Sequence, residues 1–328
     1  MKKAIVLVNL GTPDSPDPKD VGNYLTEFLT DKYVIDLPYP IRQFLVRALI
    51  VPKRKFASSE KYKKIWTDKG SPLFLHTESL SKKLDLKLPD HDVFFAMRYG
   101  TPSIKSTLGK LKNYDEITVL PLYPQDTKSS FTTAKEAIIK SSPRGVKLKI
   151  IPPFYKEDFY IDSLTRKIKS ECAEKKIEFY LFSYHGIPQH HLPKSCNDCT
   201  GECSNLEMLD SCYRAQCFHT TELIAKKLGL SKEMYSTSFQ SRLGRRPWIK
   251  PYTDKVIFEI KERGINNMAV LSPSFMSDCL ETLEELAIDL KSTFENTGAN
   301  SNLTFIPCLN DDDNLTKKLS VFLSTNIG

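Results

Sequence analysis

Short runs of β-branched and apolar residues recur along this chain, and most are separated by segments with a helical, 3.6-residue apolar period. The runs fall at 4–10, 93–97, 117–122, 148–151, 179–184, 234–239, 268–272 and 303–306. Amphipathic segments such as 159–177 and 278–294 lie between them. Such alternation points to an α/β fold. Parallel strands need long crossovers, and each crossover helix buries its apolar stripe on the sheet. The eight strands fit either one sheet or two four-stranded ones.

The turns after these strands carry most of the polar punctuation: "NLGTPDSP" (9–16), "MRYGTPS" (97–103), "LPLYPQDTKSS" (120–130), "SYHGIP" (183–188), "SFQSRLGRRPW" (238–248) and "LSPSFMSDCLE" (271–281). In open parallel sheets, ligands bind outside the carboxyl ends of the strands, so these loops are expected to converge on one cleft. A formal net charge of +7 spread over 328 residues is mild, and no long Lys/Arg block interleaves with aromatics, so no nucleic-acid partner is expected. The first apolar run, 4–8, is too short for a signal peptide, and no apolar stretch reaches the length of a membrane span. The expected location is the cytoplasm.

Two constellations could carry chemistry. His185 ends an apolar strand and precedes Gly186 and Pro188, which force a turn. A histidine there faces the ligand side of the sheet and can take up a proton or bind a borderline metal. In "SDCLETLEELAIDL", a helix starting at Asp278 would set Asp278, Glu281 and Glu285 at i, i+3 and i+7 on one face. That face reads either as a solvated surface with Asp278 as cap, or as a carboxylate stripe that moves protons or a hard cation.

Residues 31–56 break the rhythm. This stretch is apolar and aromatic, with three prolines and six basic residues against two acids. It reads either as a helical hairpin packed on the core, or as a greasy lip able to touch a membrane surface.

Five cysteines follow His185 with the spacing C-x2-C-x3-C-x8-C-x4-C: Cys196, Cys199, Cys203, Cys212 and Cys217. Three thiols within eight residues of a polar loop are not core packing. In a reducing compartment, such a cluster points to metal rather than disulfides, and four thiolates suit Zn2+ or an iron–sulfur cluster equally. The fourth ligand is then Cys212 or Cys217; Cys217 is expected to open a helix and pack inward, which favours Cys212. Cys172 and Cys308 read as buried bystanders, and Cys279 lies beside the acidic stripe.

Taken in order, "LVNLGTPDSP" (7–16), "GSPL" (70–73), "LPLYPQ" (120–125), "SYHGIP" (183–188), "FQSRLGRRPWIKPYTD" (239–254) and "DCLETLEEL" (278–286) resemble the ferrochelatases, which insert Fe2+ into protoporphyrin IX. The resemblance covers essentially the whole chain. It implies two Rossmann-like lobes with the porphyrin cleft between them: residues 1–160 with 307–328 returning to them, and residues 161–306 carrying a Cys-rich insertion at 190–217. It also implies that His185 and Glu281 form the central catalytic and metal-handling pair, with Asp278 and Glu285 beside them. Arg98, Tyr99, Tyr123, Ser71 and Trp248 match positions lining the porphyrin pocket, and 31–56 matches the lip, which favours peripheral membrane contact. Some members carry a [2Fe–2S] cluster, which tips Cys196, Cys199, Cys203 and Cys212 toward that group, with structural zinc as the alternative. The family's usual Gly-Asp-x-Tyr stretch is replaced here by "SCYRAQC". A chelatase for another divalent metal or tetrapyrrole, such as cobalt or coproporphyrin, and a non-enzymatic Fe–S or porphyrin carrier are the competing readings.

Overall fold

The computed structural model describes residues 1–193, 196, 208–242, 244 and 246–327. Among these residues the strands form two four-stranded sheets, and every neighbouring pair is parallel. The first sheet, ordered β2-β1-β3-β4, contains β1 (Lys3–Gly11), β2 (Asp92–Tyr99), β3 (Glu116–Pro121) and β4 (Lys147–Ile150). The second, ordered β6-β5-β7-β8, contains β5 (Phe179–His185), β6 (Tyr235–Gln240), β7 (Asn267–Leu271) and β8 (Asn302–Phe305). Each strand falls within two residues of its expected bounds, and the two-sheet alternative is the one adopted.

The chain divides into two compact units: residues 1–123, 127–153 and 310–328 in one, and 124–126 with 154–309 in the other. The crossing at 154, rather than at 160, has a packing cause. Phe154 and Tyr160 are both buried and stack edge-to-face at 5.5 Å, and the Tyr160 phenol donates to the Pro273 carbonyl. The return begins at 310 because the Cys308 amide still donates to Asp278, at 3.1 Å.

In the first unit, β1 is apolar without alternation. Ala4, Ile5, Val6, Leu7 and Val8 are all at most 1% exposed, because helices cover both faces of its sheet. Burying each large aliphatic side chain contributes about 1.5–3 kcal/mol. The edge strand β4 alternates instead, with Lys147 and Lys149 exposed, which suits an unpaired edge. Gly11 closes β1 at φ +110°, and a Cβ there would lie 1.8 Å from the Tyr99 carbonyl oxygen, so only glycine lets the ends of β1 and β2 pair this closely.

Segment 31–56 is not a hairpin. Helix Tyr39–Phe44 runs through widened turns at Leu45–Ile50 into helix Val51–Ile65. Pro52 has no amide hydrogen to donate, and the Val51 amide before it reaches five residues back to the Val46 carbonyl. Arg42 is buried and donates to the carbonyls of Thr30 (2.8 Å) and Leu37 (2.6 Å), which anchors the run. Tyr39, Ile41, Phe44, Leu49 and Phe56 remain exposed along it. No helix among the described residues is long and apolar enough to cross a membrane.

The last helix, Asp313–Ile327, is tied to helix Pro72–Asp85 through Asp311. That carboxylate meets His76 Nδ1 at 2.8 Å, accepts from Ser79 Oγ at 2.7 Å and pairs with Lys83 Nζ at 3.1 Å. Burial alone would raise the Asp311 carboxyl, but Ser79, His76 and Lys83 outweigh it and hold it well below the usual range. A carboxylate depressed in the folded state adds stability above its unfolded value and loses it as pH falls. Asp311→Asn should therefore lower the melting temperature by about 2–4 °C at pH 7. The gap to wild type should narrow progressively below about pH 4. Identical melting curves at pH 7 would show that this cluster adds no stability.

Candidate active site

His185 is the last residue of β5, and three loops and a helix fix it there. Its backbone amide donates to Ser274 Oγ at 3.0 Å, and its carbonyl accepts from the Tyr213 phenol at 2.7 Å. Its ring lies 6.5 Å from Trp248 and 6.2 Å from Phe275 between centroids. Nδ1 sits 2.6 Å from the carbonyl oxygen of Gly186. A carbonyl oxygen can only accept, so Nδ1 carries the hydrogen. In the neutral ring, Nε2 is then a bare lone pair.

Gly186 is forced by close approach. A Cβ there would lie 2.8 Å from the Gln240 carbonyl oxygen and 3.2 Å from Trp248 Cε3. Its amide donates to that same Gln240 carbonyl at 2.7 Å. Further along, Ile249 donates to the Ile187 carbonyl (3.0 Å) and Gln189 to that of Pro247 (2.9 Å). The "HGIP" and "RRPW" loops are thus laced together, and Trp248, half-buried, is held beside the histidine.

The acidic segment differs from expectation at its start. Helix Leu280–Thr282 is capped by Cys279 and continues as widened turns over Leu283–Leu290. Asp278 therefore precedes the helix and does not share its face. Its carboxylate points inward and accepts from Thr282 Oγ1 (3.0 Å) and the Cys308 amide (3.1 Å). Glu281 and Glu285, four residues apart, are both half-buried. Gln240 Nε2 donates to the Glu281 carbonyl at 2.7 Å and to Glu285 Oε2 at 3.3 Å, and Ser241 Oγ also donates to Glu285. Gln240 is the register partner of His185, so the histidine and the acidic segment belong to the same end of this sheet. Burial, and then the Glu281 charge, push the Cys279 thiol well up; burial, and then Asp278, do the same to Cys308. Both stay protonated thiols.

The remaining residues expected to line the porphyrin pocket lie in the first unit. Arg98 Nη2 binds Asp31 Oδ2 at 2.5 Å, and its Nε donates to Thr133 Oγ1 at 2.9 Å. The Tyr99 phenol (2.9 Å) and Thr133 hydroxyl (2.6 Å) converge on the same Asp31 oxygen. Tyr99 is 1% exposed, and burial pushes its phenol well up. In this arrangement Tyr99 backs Arg98, and Arg98 alone of the two lines an open groove, together with Lys32, Tyr33, Lys105 and Lys140. Ser71 is buried and accepts from Thr12 Oγ1 at 2.8 Å. Tyr123 packs into the core against Phe131 and Ile138, and its hydroxyl has no hydrogen-bond partner among the described residues.

Cys199 and Cys203 lie outside the described residues. Of the others, Cys196 is half-buried and Cys212 is buried at the N-cap of helix Tyr213–Leu228. That helix begins earlier than expected, which places Cys217 inside it, fully buried, with its thiol pushed well up by burial. A thiolate is favoured at a helix N-terminus and disfavoured in a dry core. Its place at a helix N-terminus suits Cys212 to a thiolate-held metal group better than Cys217, although both are buried. Sequence reasoning missed Gln240, Ser241, Tyr213, Ser274 and Asp31. The first two directly close β6 and open the loop after it, so strand-end position alone could have flagged them.

A family model described as Ferrochelatase matches residues 2–326. The ferrochelatase of Legionella pneumophila (strain Paris) is 43% identical over 335 residues, covering all of both chains. That of Coxiella burnetii is 42% identical over 319 residues, covering 94% of this chain and 89% of its own. Among solved structures, SirB from Bacillus subtilis with Fe3+ has a TM-score of 0.56 at 10% identity, covering 99% of this chain and 95% of that one. CbiX, the terminal enzyme for siroheme biosynthesis in denitrifying bacteria, has a TM-score of 0.51 at 11% identity, covering 99% and 100%. At such identities these two likenesses establish a shared α/β chelatase fold. The full-length sequence relationships go further, and the chain belongs to the ferrochelatase family.

Proposed function

We propose that this protein inserts ferrous iron into protoporphyrin IX to form protohaem, with His185 as proton acceptor. The reaction takes one Fe2+ and the free-base ring, and releases two protons from the pyrrole nitrogens. Metal cannot reach four in-plane lone pairs while two of the nitrogens carry hydrogen, so the ring must buckle and deprotonate. Binding energy from its large apolar face can drive that distortion. The observation that carries the reading is the Nδ1–H···O=C bond from His185 to Gly186, which leaves Nε2 able to take a proton at the end of β5. Glu281 and Glu285 form a carboxylate pair able to carry protons or hold the incoming cation. Asp278 keeps the start of their segment fixed rather than taking part directly. Arg98 offers a cation in the first unit to an acidic porphyrin side chain. Trp248 offers an aromatic face beside His185.

Anaerobic assays with Fe2+ and protoporphyrin IX test this. His185→Ala should lose roughly 10²–10⁴-fold in rate while still binding porphyrin. Glu281→Gln should lose severely, and Glu285→Gln less. A folded His185→Ala protein with wild-type turnover would refute the assignment.

The run 39–56 reads as a peripheral membrane surface. It exposes Ile41, Phe44 and Leu49 together with Arg47, Lys53 and Arg54. Such a face binds anionic lipid through apolar insertion and basic charge. Changing Ile41, Phe44 and Leu49 to Ser should cut flotation with phosphatidylserine-containing vesicles several-fold. Unchanged flotation would make the segment a packing element.

Cys196, Cys199, Cys203 and Cys212 are the proposed ligands of a [2Fe–2S] cluster. Bound there, it would supply a structural cross-link in the insertion that follows His185, and a redox centre that is not a source of substrate iron. The purified protein should contain two iron atoms and two acid-labile sulfides per chain and lose its colour in Cys212→Ser, while Cys217→Ser stays coloured. One zinc and no sulfide would replace the cluster with a structural zinc site.

A further inference from the structure

We infer that Gln240 is a positioning residue for the reaction, holding the Glu281–Glu285 segment against the strand end that carries His185. The inference rests on the reading of Glu281 given above.

Gln240 closes β6 in register with His185 and is only 6% exposed. Its side-chain oxygen accepts from Ser183 Oγ at 2.7 Å. Ser183 belongs to a buried hydroxyl chain that continues to Thr253 at 2.8 Å and from there to Ser238 at 2.8 Å. The other end of the amide meets the Glu281 carbonyl at 2.7 Å and a Glu285 carboxylate oxygen at 3.3 Å. Both of those groups can only accept, so the NH2 must face them and the oxygen must face Ser183. Rotating the amide by half a turn would set oxygen against oxygen in a buried place. The network therefore allows one orientation.

The backbone of Gln240 holds the other half of the site. Its carbonyl accepts the Gly186 amide at 2.7 Å, one residue after His185. One residue thus grips the histidine turn with its main chain and the acidic segment with its side chain. Ser241 follows at φ 60°, a left-handed conformation unusual for serine, and its hydroxyl donates to Glu285. The acidic segment needs such external support. It has one ordinary helical turn, Leu280–Thr282, before widening over Leu283–Leu290, so the Glu281 carbonyl sits at the change of helical geometry. Glu281 itself would be the reacting carboxylate, and Gln240 acts through it.

Two full-length variants test this, assayed anaerobically for Fe2+ insertion into protoporphyrin IX, with melting curves alongside. Gln240→Leu keeps the volume and removes both polar ends. Ser183→Ala removes the hydroxyl that anchors the amide oxygen. In Gln240→Leu, kcat should fall roughly 10–100-fold, the range for partners that orient an active group. KM for porphyrin should stay within about two-fold, since the ring-binding surface is untouched. Ser183→Ala should move kcat in the same direction by less. In a double-mutant cycle with Glu281→Gln, the losses should be strongly sub-additive, because both act on one carboxylate. A Gln240→Leu enzyme with near-wild-type kcat, beside an inactive Glu281→Gln, would overturn the inference and leave the Glu281 assignment standing. Fully additive losses would overturn it too. A fully active Glu281→Gln enzyme would instead overturn the Glu281 assignment, and the inference with it. If Gln240→Leu fails to fold, Ser183→Ala decides: lowered kcat at unchanged KM supports the inference, and wild-type kcat overturns it.

Discussion

The contact on which the site depends is the meeting of Gly186 with the end of β6. The amide of Gly186 binds the Gln240 carbonyl, and the space where a side chain would sit is filled by that carbonyl and the Trp248 ring. The same glycine offers its carbonyl to His185 Nδ1. One residue without a side chain therefore fixes the histidine tautomer, the distance between two strand ends and the seat of the tryptophan. A larger residue would force all three apart.

Parallel topology explains why these groups meet. In each unit the strands run the same way, so the loops that follow them gather at one end of the sheet. The second unit brings His185, Gln240, Ser274 and the Glu281 segment there. The first does the same with Arg98, Thr12 and Ser71, bound to partners distant in sequence. The core beneath contributes rigidity: β1, β3, β5 and β7 are buried along nearly their whole length, which leaves strand-end side chains little freedom to drift.

Much of this was legible in the sequence. The central strand β1 writes itself as an unbroken apolar run, the edge strands as shorter mixed ones between turn signals, and each could be placed within two residues. His185 stood out because Gly186 and Pro188 mark a turn after such a run. Other features left no local trace. Asp31 meets Arg98 across 67 residues of sequence, and nothing near either one announces the pair. Asp278 shares the spacing of the acidic stripe, yet the backbone turns at Cys279 and sends its carboxylate inward to Thr282 and Cys308. Periodicity assumes a helix that had already begun. The widened turns at 45–50 and 283–290 are likewise invisible to a 3.6-residue template, although Pro52 hinted at the first.

The account turns on which nitrogen of His185 carries the hydrogen. ¹⁵N-histidine NMR of the full-length protein at pH 8, with His185 assigned by comparison with His185→Ala, reads this directly. The account predicts a protonated Nδ1 and a bare, pyridine-like Nε2. A protonated Nε2 with a bare Nδ1 would contradict it, since no lone pair would then face away from Gly186 to take the porphyrin proton.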